Sequence, residues 1–339
     1  MGRFVERDSV EALVSAQWIQ VLGAAPESLD SDFFREGGTS LKAASMIAKL
    51  RRVFDREISL EVIFQNPSLR NLAHAIRNGT ESGSARLVTL KGDGEGAPVI
   101  VVPNVFGSII GLGGLSDSIF QRPVHALQSK GLSLEQGEPL SEISDIVRDF
   151  ADVLSAQEIS RRVHIAGFCM GGIFAHALAC HLEERGWEVL GVMLLNTSFD
   201  LTPAPMGRLL AERVHQLADG AGLKLPDGEI PSFEELFSML RESGMDILEE
   251  NAAAFERRTL VFVANWHAAA SYRPSVSNFP VTLFSAVDGD SGLSDSPVWR
   301  ASLAPSLRTL AVPVGHFEML YDQVTLESIE SAFSADRGC

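Results

Sequence analysis

Cysteine is scarce in this chain: there are three in 339 residues, at Cys169, Cys180 and Cys339. No C-x-x-C pair and no Cys/His ligand spacing occurs, which argues against a zinc site and predicts no metal. An odd, sparse count also argues against a disulfide framework and for a reducing compartment. Long apolar runs are missing too. The most apolar stretch, 98–112, is broken by Pro103, Asn104 and Gly107. A membrane span needs about eighteen uninterrupted apolar residues. The first thirty residues lack the basic-then-apolar order of a secretory signal. These absences predict a cytoplasmic protein with no membrane partner. Basic charge is short as well, with 28 Lys and Arg against 44 Asp and Glu for a net −16. That sign argues against a nucleic-acid partner.

The acidic excess is unevenly spread. Residues 1–79 balance ten basic against ten acidic side chains, which leaves eighteen against thirty-four for residues 80–339. Two bodies with different surfaces follow, and the length suits one small domain and one of enzyme size. The local patterns change at the same place. Residues 8–79 read as a small four-helix bundle. Val10, Leu13, Val14, Trp18 and Val21 share one helical face, and Ser68 is set to cap a last helix through Leu69, Leu72, Ala73 and Ile76. Residues 80–86, rich in Gly and Ser, read as a linker. From Leu87 strands alternate with helices, the pattern of an α/β fold with a mainly parallel sheet and helices on both faces. Strands are expected at Val99–Val102, Val124–Leu127, Val163–Gly167, Val189–Leu195, Val281–Ser285 and Leu307–Val312. Between them, about 200–273 reads as an inserted helical lid. Its Leu209, Leu210, Val214 and Leu217, and Phe233, Leu236, Phe237 and Leu240, fall at core spacing. The domains expected are therefore 1–79, a linker at 80–86, and 87–339.

Two short motifs carry chemistry. In Gly37-Gly38-Thr39-Ser40-Leu41, two glycines precede a serine at a helix start, which on its own reads as an N-cap after a glycine turn. In Gly167-Phe168-Cys169-Met170-Gly171-Gly172, a strand turns sharply into a helix with the pattern G-x-C-x-G, where hydrolases carry G-x-S-x-G. Such a turn exposes the side chain at its apex, and a helix N-terminus favours a thiolate. A lone Cys is ordinarily packing, and Cys180, inside the following helix, is read that way. His316 stands in a loop beside Gly315 after the last strand, the position of a base. The other histidines, at 74, 125, 164, 176, 181, 215 and 267, read as structural or exposed. The glycine-rich stretch 107–114 lacks the strand–turn–helix spacing of a dinucleotide site.

Taken with Asp32-Phe33-Phe34 and Val62-Ile63-Phe64-Gln65-Asn66-Pro67-Ser68-Leu69, the Ser40 tip resembles the peptidyl carrier domain of nonribosomal peptide synthetases. Residues 87–335 resemble the type I thioesterase domains that release products from such synthetases. The segments that carry this are Val102 to Gly107, the elbow, Asn265 to Pro274 before Val281, and Val314 to Leu320. The resemblance implies an α/β-hydrolase fold and a 4′-phosphopantetheine arm on Ser40, which a phosphopantetheinyl transferase attaches. It implies condensation and adenylation domains upstream and a peptidyl thioester as substrate. It further implies Cys169 as nucleophile, His316 as base, and the backbone N–H groups of Val105 and Met170 as oxyanion hole.

The departures from the family are informative. Thr39 replaces the commoner His or Asp, and Cys169 replaces serine. Asn196 stands 27 residues after Cys169, where the family has an Asp. Either Asn196 orients His316, or the acid has moved to the loop after the next strand, at Asp288 or Asp290. A thiolate–imidazolium pair needs from its orienter only an acceptor for an N–H, so Asn196 is favoured. Thioesterases with Cys at the elbow are similar to those that close β-lactones and monobactam β-lactams, so small-ring cyclisation is expected, with hydrolysis and macrocyclisation open. The opposite class is a degenerate domain that only binds the carrier. The basic side chains Lys42, Lys49, Arg51 and Arg52 are expected to help dock the acidic second domain.

Overall fold

The computed structural model of the chain describes residues 5–38, 40–54, 58, 62–63, 66–78, 85–92, 94–108, 122–197, 199, 201–225, 230–243, 251–286, 297–303, 306–316, 318–320 and 322–334. Thr39, Asp288, Asp290 and Cys339 lie outside these residues.

The first body is helical. It contains α1 (Val5–Leu22), α2 (Ser40–Phe54) and α3 (Leu69–Asn78), with Val62 and Ile63 also helical between the last two. Val14 and Trp18 are four residues apart on α1 and are fully buried. Trp18 meets Phe33 edge-on at 5.1 Å, and Met46, Ile47, Leu50, Leu72 and Ile76 close the same core. Leu13, expected on that face, is 40% exposed. It lies about 100° around the helix from Val14, outside the stripe that α2 and α3 cover. Ser68 caps α3 as expected: its Oγ accepts from Asn71 N–H at 3.3 Å. An isolated bridge from Asp32 to Ser68 ties the loop after α1 to that start.

The second body is a seven-stranded sheet with a helical insertion. Its strands are β1 (Leu87–Lys91), β2 (Val99–Val102), β3 (Val124–Leu127), β4 (Arg162–Phe168), β5 (Glu188–Leu195), β6 (Val281–Ala286) and β7 (Leu307–Val312). They lie in the order β1-β3-β2-β4-β5-β6-β7. All neighbours are parallel except β1, which pairs antiparallel with β3. β1 was not expected from the sequence. It is an edge strand with one fully buried side chain, Val88, so its period-two signal is weak.

The central strands are apolar on both faces because both are covered. Ile100, Val102, Ile165, Val192 and Leu194 pack with α4 (Ile143–Ser155) and α5 (Gly171–Glu184). Val99, Val101, Phe168, Met193 and Leu195 pack with Leu326, Ile329 and Phe333 of the C-terminal helix, Gln323–Ser334.

The insertion between β5 and β6 comprises α6 (Met206–Gly220), α7 (Phe233–Glu242) and α8 (Ala252–Ser271). Val214, Leu236, Phe237, Leu240 and Phe255 form a core of its own, so the apolar spacing seen there packs helix on helix. Buried Arg257 of α8 clamps the insertion to the loop after β3. It donates to Gly131 O at 3.0 Å, to Glu138 Oε1 at 3.1 Å and to Gly137 O. The remaining helix of the sheet, α9 (Pro297–Leu303), precedes β7, and α10 is the C-terminal helix. Among the described residues no helix is long and apolar enough to cross a membrane, and no group of three or more His, Cys, Asp or Glu could hold a metal ion.

Candidate active site

Cys169 follows directly on β4 and adopts φ 55°. Its N–H donates to Leu195 O at 2.8 Å, which ties the bend to the end of β5. A left-handed residue with a side chain is disfavoured, and the neighbouring glycines make room for the turn. A Cβ on Gly167 would lie 2.2 Å from Gly171 O, and one on Gly171 would lie 2.9 Å from Pro103 O. One on Gly172 would lie 1.9 Å from Thr197 Oγ1. The three glycines of the motif are therefore steric requirements of the elbow.

Cys169 is half-buried, and burial raises its thiol pKa; the Met170 N–H, donating to the sulfur, opposes this by less. The sequence argument expected the opposite direction, from the dipole of the helix behind the elbow. Desolvation of the thiolate, larger than the Met170 hydrogen bond, sets the direction here. His316 lies in the loop after β7, its ring centroid 4.6 Å from that of Phe168, the residue before the nucleophile. Burial lowers its pKa. Both shifts favour the neutral form of the group concerned, the thiol and the imidazole.

The structure brings Asn196 to His316. Asn196 immediately follows β5, is 2% exposed and, like Cys169, has a positive φ of 45°. Its N–H donates to Phe284 O at 2.7 Å, and its Oδ1 accepts from Ala286 N–H at 3.2 Å. Its Nδ2 meets His316 Nδ1. The rival positions Asp288 and Asp290 fall outside the described residues.

Val105 sits in the turn after β2. Asn104 shapes that turn: its Oδ1 accepts from Phe106 N–H at 3.0 Å and its carbonyl from Gly107 N–H at 2.9 Å. Sequence reasoning placed Asn265 only at the start of a family-like segment and missed its contacts. Asn265 of α8, 2% exposed, donates from Nδ2 to Val105 O at 3.1 Å and to Ser129 Oγ at 3.2 Å. Ser129 N–H in turn donates to Gly107 O at 2.7 Å. The insertion thereby holds the loop on which the Val105 N–H is presented. The available signal was a polar residue within the apolar run Val261–Ala270.

At the carrier tip, Gly37 has φ 90°, and a Cβ on Gly38 would lie 2.3 Å from the Phe33 ring. Ser40 is the first residue of α2, whose first turn carries no acidic residue. A helix N-terminus free of competing carboxylates fits a phosphodiester. Lys42 at the same end donates to Gly37 O at 2.9 Å. Of the basic side chains expected to dock the second domain, Lys49 bonds Gln20 Oε1 at 3.1 Å and Arg51 bonds Ile58 O at 2.8 Å.

The phosphopantetheine attachment site family matches residues 12–76, and the thioesterase domain family matches residues 97–334. The chain belongs to the thioesterase domain family. Its first domain is of the class that carries 4′-phosphopantetheine on a serine.

Among curated relatives, malpinin synthetase of Mortierella alpina is 28% identical over 59% of this chain and 3% of its own length. The dimodular nonribosomal peptide synthase of Bacillus subtilis (strain 168) is 24% identical over 82% of this chain and 12% of its own length. The indigoidine synthase of Streptomyces lavendulae is 22% identical over 94% and 26%. The chain thus spans about a quarter or less of these relatives. Among solved structures, a holo four-domain nonribosomal peptide synthetase bound to AMP and glycine superposes with a TM-score of 0.64, at 21% identity, covering 98% of this chain and 26% of that one. The NocB thioesterase domain, in a covalent complex with a fluorophosphonate nocardicin G analogue, gives 0.52 at 18% identity, covering 75% and 100%. These likenesses establish the fold: a helical carrier followed by an α/β thioesterase.

Proposed function

We propose that this chain is the carrier–thioesterase end of a nonribosomal peptide synthetase, in which a peptidyl group passes from 4′-phosphopantetheine on Ser40 to Cys169 and leaves by closure of a small ring, such as a β-lactam of the monobactam kind. The observation that carries the reading is Cys169 itself. It is a thiol at the apex of a glycine-walled elbow, with the His316 ring packed against the adjacent Phe168.

His316 takes the Cys169 proton and the thiolate attacks the carrier thioester. The Met170 and Val105 N–H groups stabilise the tetrahedral oxyanion. The pantetheine thiolate leaves, taking the proton back, and an acyl-Cys169 thioester remains. A nucleophile within the peptide then attacks that thioester, gives its proton to His316, and expels Cys169. Exchange of one thioester for another conserves activation. A serine would hold the acyl group as a less reactive oxoester. Sulfur therefore suits attack by a poor nucleophile or closure of a strained ring. The insertion α6–α8 acts as the lid that keeps water out. Condensation and adenylation domains supply the peptide, and a phosphopantetheinyl transferase primes Ser40.

The test is intact-protein mass spectrometry after loading Ser40 with a peptidyl-pantetheine mimic. A thioester adduct on Cys169, lost in Cys169→Ala, is expected. No adduct on a fully loaded protein would leave only a carrier-binding domain. Product analysis then separates cyclisation from hydrolysis. A changed rate of adduct formation in Asn196→Ala, with Asp288→Ala unchanged, assigns His316's partner to Asn196; the reverse assigns it to Asp288.

A further inference from the structure

Asn196 faces two neighbours, the Ala286 N–H and the His316 ring, and it has one oxygen. A carboxylate here would accept from Ala286 N–H with one oxygen and from a protonated His316 Nδ1 with the other. An amide offers one acceptor and one NH2 donor. The sheet decides which end goes where. Asn196 N–H donates to Phe284 O at 2.7 Å, and Oδ1 takes the next N–H along β6, that of Ala286, at 3.2 Å. The side chain continues the β5–β6 ladder one step beyond the last strand residue. Nδ2 is then the atom that faces His316 Nδ1. A ring nitrogen facing an N–H donor must accept, so it carries no proton.

We propose that Asn196 is a positioning residue that holds resting His316 in the tautomer protonated on Nε2, with the Ala286 N–H as its latch, and that this hold slows release of the acyl group by water. The inference rests on the reading of Cys169 and His316 as acyl-transfer machinery. To accept a proton, Nε2 needs its lone pair free. That requires the Nδ1–H tautomer, with the amide turned so that Oδ1 faces the ring. Turning it sets Nδ2 against Ala286 N–H, donor to donor, and gives up the latch bond. Each proton transfer to His316 bears that cost.

The nucleophiles do not bear it equally. A thiol is far more acidic than water and needs less help from the base. A nucleophile within the bound peptide is held at high effective concentration. Water has neither advantage, so the acyl-Cys169 thioester outlives hydrolysis and waits for the ring-closing attack. In a serine triad, an Asn in the acid position lowers kcat by about 10⁴-fold through the wrong tautomer. Here that tautomer is built into the site.

The test uses the full chain with ¹⁵N-labelled histidine rings and long-range ¹H–¹⁵N correlation at neutral pH. The His316 signals are assigned by their loss in His316→Ala. Wild type should show a protonated Nε2 and a bare Nδ1. Asn196→Asp should move the proton to Nδ1. It should also raise the hydrolysis rate of a preformed acyl-Cys169 by about 10²-fold, with about 10⁴-fold as the ceiling. A wild-type ring protonated on Nδ1, alone or as the imidazolium, overturns the inference whether or not Cys169 acylates. Unchanged hydrolysis in Asn196→Asp, once the proton has moved, overturns its second half. An Nε2–H ring in a chain whose Cys169 never acylates sinks the acyl-transfer reading instead and leaves the tautomer standing. Should Asn196→Asp not fold, the wild-type spectrum still decides the tautomer.

Discussion

Replacing Gly172 with alanine tests whether the elbow is held by the close approach of α5 to the segment after β5. The new Cβ would lie 1.9 Å from Thr197 Oγ1 and 2.8 Å from both Thr197 Cβ and Cγ2. Non-bonded carbon contacts settle near about 3.5–4.0 Å, so more than an ångström of separation must be found. Thr197 is fully buried and cannot swing into solvent. Overpacking of this kind costs about 1–3 kcal/mol. Thr197→Ala removes two of the three clashing atoms. Its hydroxyl is buried and has no hydrogen-bond partner among the described residues, so its loss alone should cost about 1 kcal/mol, for the methyl. The double variant should therefore recover about 1–2 kcal/mol of the Gly172→Ala penalty as a coupling energy. Urea unfolding of the four proteins measures it. Cys169 acylation should fall in Gly172→Ala and return in the double variant, because the start of α5 carries the Met170 N–H with it. Wild-type stability in Gly172→Ala, or no recovery with Thr197→Ala, would refute the steric account.

Asn265→Ala should slow single-turnover acylation of Cys169 by about 10–10²-fold, since it frees the Val105 loop that supplies one oxyanion donor. It should also cost about 1–3 kcal/mol by leaving Val105 O and Ser129 buried with fewer partners; an unchanged acylation rate would mean the loop is held elsewhere. Stability should fall with acid in a defined window. Burial lowers His164 to about 3 and His176 to about 4, from an ordinary 6.5. The unfolded chain takes up protons that the folded form refuses. The stability these two residues contribute is thus full above pH 6.5 and is lost as pH falls through 4 and 3, at up to about 1.4 kcal/mol per pH unit for each group. His164→Leu should flatten that slope at little cost at neutral pH, because His164 Nδ1 is buried without a hydrogen-bond partner among the described residues; an unaltered slope in the urea midpoints would count against it.

Most of the fold was legible because its signals are local and repeated. The six strands read from the sequence differ from the observed ones by at most one residue at either end, since buried parallel strands are short continuous apolar runs bounded by turns. β1 escaped because an edge strand needs only one buried side chain. The elbow was legible for a steric reason: Gly167, Gly171 and Gly172 each stand where a Cβ would strike backbone or Thr197. What escaped depends on long-range contact. Asn265 meets Val105 across 160 positions of sequence, and nothing near Asn265 announces a partner. The direction of the Cys169 pKa escaped too. A helix N-terminus can be read from a motif, whereas the burial that raises the pKa is set by the whole fold.

Backbone strain is concentrated at one place. Among the described residues, two non-glycine residues have positive φ, Cys169 at 55° and Asn196 at 45°. They follow adjacent parallel strands whose last residues, Phe168 and Leu195, pair with each other. The carboxyl ends of neighbouring parallel strands are where α/β sheets build their sites. Here each of two such strands turns its first residue beyond the ladder out of line. The two bends are joined by the bond from Cys169 N–H to Leu195 O. The first bend is marked in sequence by glycines. The second is not, because Asn tolerates the left-handed region without one. A search confined to glycine motifs finds the nucleophile and passes over its counterpart. Energetically the two belong together: relaxing either bend moves Cys169 relative to the side chain that meets His316. Substitutions that disfavour positive φ at 196, such as Asn196→Val, should therefore impair acylation, whereas the isosteric Asn196→Asp should not. If the two variants acylate equally well, the left-handed conformation at this position has no part in aligning the pair.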